Sequence, residues 1–422
     1  MKRRFTYFFF FGIIYLIEYW GDSVININSE IGPLKKVLLH RPGNELLNLM
    51  PEDLKKMLYD DIPYLKVARQ EHDEFANLLR SNGVEVIYLE DLMADVLNMD
   101  ANIREKFICQ FVYEAGIKTP KYKNSVIKYL MSFNDNHELI LKTMEGINLN
   151  ELYAMDKDME HSLVDLVTKE DKFLADPMPN LVYTRDLVTS IGDGISLNKM
   201  CFPARGRESI YYEYIFNYHP LYQDTVKYYD KYAFHSIEGG DILVLNEHTI
   251  MVGISERTTA AAIEQIALKM FKEPNCKFDT IITVSIPESR YCMHLDTVIT
   301  QVDYDKFLYY PGIINTLVVC EVKEDVFEGI KVKKLNDSLE NILEKFLDCD
   351  ITLIPCGGGD KIIAAREQWN DGVNMLSISP GVVISYDRNN VTNAVLRRYG
   401  VTVLEIKGSE LSRGRGGPRC MS

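Results

Sequence analysis

Two stretches of this chain follow the same order of elements. They are ILVLNEHTIMVGISERTTAAAIEQIALKMF and NMLSISPGVVISYDRNNVTNAVLRRYGVTVLEI. Each reads as strand, tight turn, strand, acid–arginine pair and helix, with a further strand after it. The pairs are Glu256-Arg257 and Asp387-Arg388. SLNKMCFPARGRESIYYEYIF begins a third version, and PLKKVLLHRPGNELL fits a fourth. One ββαβ unit cannot bury its apolar face alone, so such units close around a common axis. The pattern therefore predicts an α/β fold in which loops from several units converge at one end. The repeat does not fix the number of units.

The remainder of the chain interrupts this repeat. VEVIYLE reads as a strand, and PEDLKKMLYDDIPYLKVARQEHDEFANLLRSNG has helical spacing and ends at Asn-Gly. Residues from about 93 to 175 are mostly helical in pattern and read as an insertion. The division expected is an N-terminal extension over 1–23, a first propeller segment over 24–92, the insertion over 93–175 and the rest of the propeller over 176–422. The extension MKRRFTYFFFFGIIYLIEYW has a basic start and an apolar run shorter than the ~20 residues of a spanning helix. No A-x-A-like cleavage site follows it. It reads as a non-native addition outside the fold, with a secretion signal or membrane anchor as the alternative.

The net charge of −14 opposes a nucleic-acid role, because the partner would be a polyanion, and favours cationic substrates. The eight cysteines are scattered with no CxxC pair, which argues against a disulfide framework or a zinc cluster. A reducing, cytoplasmic location is expected.

Five short motifs carry groups capable of chemistry. YTRDL holds Arg185 and Asp186; SIEGGD holds Glu238 and Asp241; CMHLDT holds His294 and Asp296. If CMHLDT is a strand, His294 and Asp296 share a face, which sets a proton-transfer group beside a carboxylate. LIPCGGGD ends a strand in glycines, and SRGRGGPRCMS holds Cys420 with Arg415 and Arg419 nearby. Singly, each has an ordinary structural reading as a local salt bridge, a core histidine or a turn. Together they set a cysteine, a distant histidine and several carboxylates at strand ends, the set expected of a thiol nucleophile acting on a cation. A carboxylate accepts two guanidinium N–H bonds at once.

The segments SEIGPLKKVLLHRPG, MPNLVYTRD, SIEGGD, GISERT, MHLDTV, EQWNDG, GVVISYDRN and ELSRGRGGPRCMS occur in one order from about Ile25 onward. In that order they resemble the arginine deiminase family. The resemblance implies a pentein fold, a β/α-propeller of five pseudo-symmetric ββαβ units with a helical insertion after the first. It implies hydrolysis of L-arginine to L-citrulline and ammonia, without a metal or organic cofactor. By the same resemblance Cys420 is the nucleophile, with Arg415 and Arg419 available to lower its pKa. His294 is the acid and base, Glu238 orients it, and Asp186 and Asp296 hold the guanidinium. Asn180, Arg205, Arg257, Gly414 and Arg415 are the implied substrate-binding positions, with Arg205 and Arg257 suited to the α-carboxylate. A small-molecule substrate, no nucleic acid, no stable membrane association apart from the N-terminal extension, and a homo-oligomer are expected. The alternatives are another guanidine-modifying hydrolase and a catalytically impaired member with a surface or interaction role.

Four features depart from the family pattern. Tyr183-Thr184-Arg185-Asp186-Leu187 stands for FTRDP, and Met57-Leu58-Tyr59-Asp60-Asp61 stands for LLFDD. The hydrophobic N-terminal stretch is not a family feature. Family members continue past CMS with a segment starting MPL, whereas this sequence ends at Ser422, which predicts a less firmly held cysteine loop.

Overall fold

In the computed structural model, which describes residues 4–10, 13–19, 24–156 and 173–422, the repeat is visible as strand pairing. Four units have the same topology, in which two antiparallel strands are followed by a helix and a third strand parallel to the second. The first of these four is Val188–Ile191, Gly194–Leu197 and Val226–Tyr229, with helix Ser209–Tyr218 before the third strand. The next is Ile242–Val244, Thr249–Ile254 and Thr280–Ser285, with helix Ala260–Lys272. Ile299–Asp303, Lys306–Tyr309 and Thr352–Pro355 follow, with helix Leu339–Leu347. Leu376–Ser379, Val382–Tyr386 and Thr402–Ile406 complete the four, with helix Asn390–Arg398.

A fifth sheet stands first in the chain and has only the parallel pair Lys36–Leu39 and Glu85–Tyr88, with helix Leu65–Ser81 between them. Gly32-Pro33 occupies the place of its missing strand, and proline supplies no N–H to a ladder. The residues before Lys36 run across the ring instead. Ile27 bridges Gly192, the Glu30 N–H donates to the Val244 carbonyl, and the Leu34 N–H donates to the Ile378 carbonyl. The last contact joins the first unit to the last and closes the propeller.

The helical reading of PEDLKK…RSNG holds only in part. A single turn forms at Pro51–Asp53, and the helix proper is Leu65–Ser81. Pro63 disfavours helix at Ile62. Between the two, Leu58 adopts a left-handed φ of 62° and the segment turns inward. The Tyr59 hydroxyl donates to the Pro179 carbonyl at 2.8 Å, and the Asn180 amide donates to the Met57 carbonyl at 2.8 Å.

Helices Leu89–Met99, Ala101–Glu114, Pro120–Met131, Asn136–Glu145 and Leu149–Met155 follow the first unit. Their buried Phe107, Phe111, Leu130 and Leu139 form one apolar core with Tyr211, Tyr214 and Ile215 of the next unit's helix. Phe107 meets Tyr214 edge-on at 5.3 Å, a preferred aromatic geometry. The helical expectation for 157–172 lies outside the described residues. An unanticipated hairpin, Val318–Asp325 with Gly329–Leu335, leaves the fourth unit and extends the third unit's sheet to five strands. At the N-terminus, Arg4–Phe10 pairs antiparallel with Ile13–Tyr19. No helix among the described residues is long and apolar enough to cross a membrane.

Candidate active site

The sequence-identified groups lie at equivalent turns of successive units. Asp186 closes the turn Thr184–Asp186 before the strand Val188–Ile191. Glu238 precedes the turn Gly239–Asp241, and His294 precedes Leu295–Thr297, each leading into the first strand of its unit. Arg257 follows the strand Thr249–Ile254, and Cys420 lies beyond the last strand, Thr402–Ile406. The propeller thus collects residues far apart in sequence at one end. CMHLDT is not a strand, so strand alternation does not set His294 and Asp296 on one face. His294 is extended and a turn follows it, closed by the Thr297 hydroxyl donating to the His294 carbonyl at 2.7 Å.

His294 lies 2.9 Å from Glu238 Oε2 through Nε2 and 3.6 Å from Asp186 Oδ1 through Nδ1. All three are buried. Burial alone would lower the His294 pKa; the Asp186 charge, the Glu238 bond and the Asp241 charge raise it instead to about 9. This places the imidazolium form in the neutral range. Glycine is needed beside the ring, since a Cβ on Gly240 would lie 2.5 Å from Nδ1.

Asp186, Glu238 and His294 hold atoms close enough to surround a cation. Both carboxylates already face guanidinium groups. Arg205 Nη1 bonds Asp186 Oδ2, and Arg257 Nη1 lies 3.5 Å from Glu238 Oε2. Each carboxylate is thus partly neutralised by a guanidinium group.

The Cys420 thiol points to Asp296 Oδ2 at 3.9 Å. Burial pushes the thiol well above its ordinary pKa, and Asp296, Asp186 and Asp371 add to that rise. The expected lowering by Arg415 and Arg419 is therefore corrected. Arg419 is engaged by other groups, with Nε on Glu30 at 2.9 Å, Nη1 on Asp296 Oδ2 at 2.8 Å and Nη2 on the Ile242 carbonyl. Arg415 stacks 3.7 Å from the Trp369 ring centroid and donates to the Trp369 carbonyl. A thiol facing carboxylates in a dry site stays neutral until a cation arrives.

Hydrogen bonds hold both sides of the cysteine loop. The Cys420 N–H donates to Asn374 Oδ1 at 3.1 Å, and the Arg185 N–H donates to the Cys420 carbonyl at 3.1 Å. The Met421 N–H donates to the Gly417 carbonyl, and Arg185 Nη2 donates to Ser422 Oγ. Asn374 lies two residues beyond the EQWNDG stretch, and its role was not evident from sequence.

Asn180, Arg205, Arg257, Gly414 and Arg415 line one narrow cavity with Asp186, His294 and Cys420. Arg205 also bonds Glu208 through Nε at 2.8 Å and two backbone carbonyls through Nη2. Arg257 is less engaged. It lies over Phe202 at 4.4 Å, and its buried Nε makes no hydrogen bond among the described residues. Nε lies 3.6 Å from Glu256 Oε2. A Cβ on Gly414 would lie 2.4 Å from the Tyr183 hydroxyl. That hydroxyl, absent where the family has phenylalanine, donates to the Leu411 carbonyl at 2.7 Å. Leu58, Tyr183, Arg290 and Met293 also line the cavity and were not selected from sequence. Arg290 and Met293 stand just before His294, so their proximity along the chain was the available signal.

A family model described as arginine deiminase matches residues 55–422. The chain belongs to the arginine deiminase family. The arginine deiminase of Treponema denticola is 51% identical over 403 residues, covering 95% of this chain and 98% of the relative. That of Clostridium perfringens is 49% identical over 405 residues, covering 95% and 97%. Among solved structures, an amidinotransferase from Microseira wollei in the saxitoxin biosynthetic pathway covers 94% of this chain and 95% of its own. The TM-score is 0.52 at 15% identity, a similarity of fold. This chain therefore has the pentein propeller that the family resemblance implied.

Proposed function

We propose that this protein hydrolyses L-arginine to L-citrulline and ammonia through a covalent intermediate on Cys420. The observation that carries this reading is the pairing of a buried thiol with two unfilled polar positions around it. Asp296 Oδ1 and His294 Nδ1 are both buried and make no hydrogen bond among the described residues. A guanidinium satisfies the first as donor, and the nitrogen leaving it faces the second.

The bound guanidinium brings a positive charge that stabilises the thiolate, so the thiol releases its proton to solvent as substrate arrives. Asp186 and Asp296 orient the group. Sγ attacks the guanidinium carbon and a C–S bond forms. His294, held as imidazolium by Glu238, gives its proton to the departing nitrogen as the C–N bond breaks and ammonia leaves. Neutral His294 then takes a proton from water, whose oxygen attacks the same carbon. The C–S bond breaks, the proton left on the new oxygen passes to solvent, neutral citrulline departs and the thiolate is restored. Arg257, Arg205 and Asn180 hold the amino-acid end, with Gly414 and Arg415 closing the cavity wall.

The same reading makes the chain independent of metal and organic cofactor, cytoplasmic and homo-oligomeric. It keeps 93–175 as a helical insertion between propeller segments 24–92 and 176–422, with 1–23 outside the fold. The deciding assay analyses the products formed from arginine, agmatine and dimethylarginine with wild type and Cys420→Ser. Citrulline from arginine that the substitution abolishes supports the reading. Citrulline from dimethylarginine alone, or no turnover by folded protein, overturns it.

A further inference from the structure

Three aspartates occupy the same step of three successive units. Asp186, Asp241 and Asp296 each sit in the turn that leads into the unit's first strand. Asp186 and Asp296 contact the groups around the cavity, but Asp241 lies fully buried behind His294. Its Oδ1 accepts the Leu295 N–H at 2.8 Å, and its Oδ2 accepts the Ser255 hydroxyl at 2.7 Å. Ser255 Oγ in turn accepts the N–H of Arg257 at 3.0 Å and of Thr258 at 3.1 Å. The Thr258 hydroxyl accepts the Glu238 N–H at 3.0 Å and also hydrogen-bonds Asp241. One carboxylate thereby joins the backbones that carry Glu238, Arg257 and His294.

The neighbouring strand leaves room for it. A Cβ on Gly253 would lie 2.3 Å from Asp241 Oδ1 and 2.9 Å from Leu295 Cβ. A side chain there would push the carboxylate off the Leu295 N–H.

The charge of Asp241 is also set apart from its neighbours. His294 is surrounded by the carboxylates of Asp186, Glu238, Asp241 and Asp296, by the Arg205 and Arg257 guanidinium groups and by the Cys420 thiol. Asp186 pairs with Arg205, Glu238 with Arg257, and Asp296 with Arg419. Among the described residues Asp241 has no guanidinium partner. A buried carboxylate without a counter-ion is costly, and the nearest cation available to it is the imidazolium.

We infer that Asp241 is a positioning residue for the hydrolysis proposed above, fixing His294 and Arg257 relative to Glu238 and stabilising the charged form of His294. This rests on that functional reading for its consequence, but its geometry stands without turnover. Burial raises Asp241 itself to about 6, so the charge is present above that pH.

The test uses full-length protein with labelled histidine and follows the His294 imidazole by NMR through a pH titration. Asp241→Asn is expected to lower the His294 midpoint by about one unit, a tenfold shift in the proton equilibrium. The alkaline limb of kcat/KM is expected to move by the same amount. Ser255→Ala keeps the charge but breaks the link to Arg257. It is expected to raise KM for arginine about fivefold with the His294 midpoint unchanged. A His294 midpoint in Asp241→Asn equal to wild type overturns the inference, as does an unaltered KM in Ser255→Ala. If Asp241→Asn does not fold, the Ser255→Ala KM decides. An absence of wild-type turnover overturns the hydrolytic reading alone, because the NMR titration still reports on Asp241.

Discussion

His294 Nε2 lies 2.9 Å from Glu238 Oε2, and neither residue reaches solvent. A second bond fixes the carboxylate, since the Cys201 N–H donates to Oε1 at 3.0 Å. The pair therefore sets both the orientation and the charge of the imidazole. Glu238→Gln removes the charge and retains most of the shape. It is expected to lower kcat by roughly 100-fold and to move the alkaline limb of kcat/KM toward lower pH. Steady-state kinetics across pH, beside a thermal melt to confirm folding, checks this.

The same shift has a consequence for stability. His294 has a folded-state pKa raised to about 9, above its ordinary 6.5. Its contribution is complete below about 6.5 and is lost as pH rises through about 9. Wild type is expected to lose Tm between pH 7 and pH 10 more steeply than His294→Asn. Parallel melts of the two proteins measure the difference.

Cys420 carries the opposite expectation from an activated thiol. With its pKa pushed up by burial and by Asp296, Asp186 and Asp371, the empty site holds a neutral thiol. Iodoacetamide is expected to alkylate it slowly at neutral pH, and Asp371→Asn to speed that reaction. Peptide mapping of time-resolved alkylation reads both rates.

Gly240→Ala tests how closely the ring is packed. The added Cβ falls 2.5 Å from His294 Nδ1 and 2.9 Å from its Cβ. Overpacking of this kind costs about 1–3 kcal/mol. A fall in kcat larger than the rise in KM is expected, with Tm lowered by a few degrees.

Arg257→Ala addresses the other end of the substrate. It removes the stack over Phe202 and the less engaged of the two guanidinium groups. KM for arginine is expected to rise by roughly 100-fold, with agmatine, which lacks the carboxylate, almost unaffected.

The propeller was legible because four units repeat strand, turn, strand and helix, and because Thr249–Ile254 and Val382–Tyr386 are short apolar runs of the kind that forms buried strands. The grouping of Asp186, His294 and Cys420 around one cavity was also legible, through the family resemblance of their motifs. What was not legible depends on contacts distant in sequence. The inward turn of Leu58 depends on Pro63 and on bonds from Tyr59 to Pro179 and from Asn180 to Met57. The orientation of Arg419 toward Glu30 and Asp296 rests on contacts 389 and 123 residues away. A local reading of SRGRGGPRCMS assigned that arginine to the thiol because only its neighbours in sequence were visible.

The central claim is a covalent bond between Cys420 and the guanidinium carbon. Arginine radiolabelled at that carbon is mixed with the protein, quenched in acid within the first turnovers, and mapped by peptide. The account predicts label on the peptide containing Cys420 in wild type and none in Cys420→Ser. Citrulline released without label on that peptide, or turnover that survives Cys420→Ser, would contradict it.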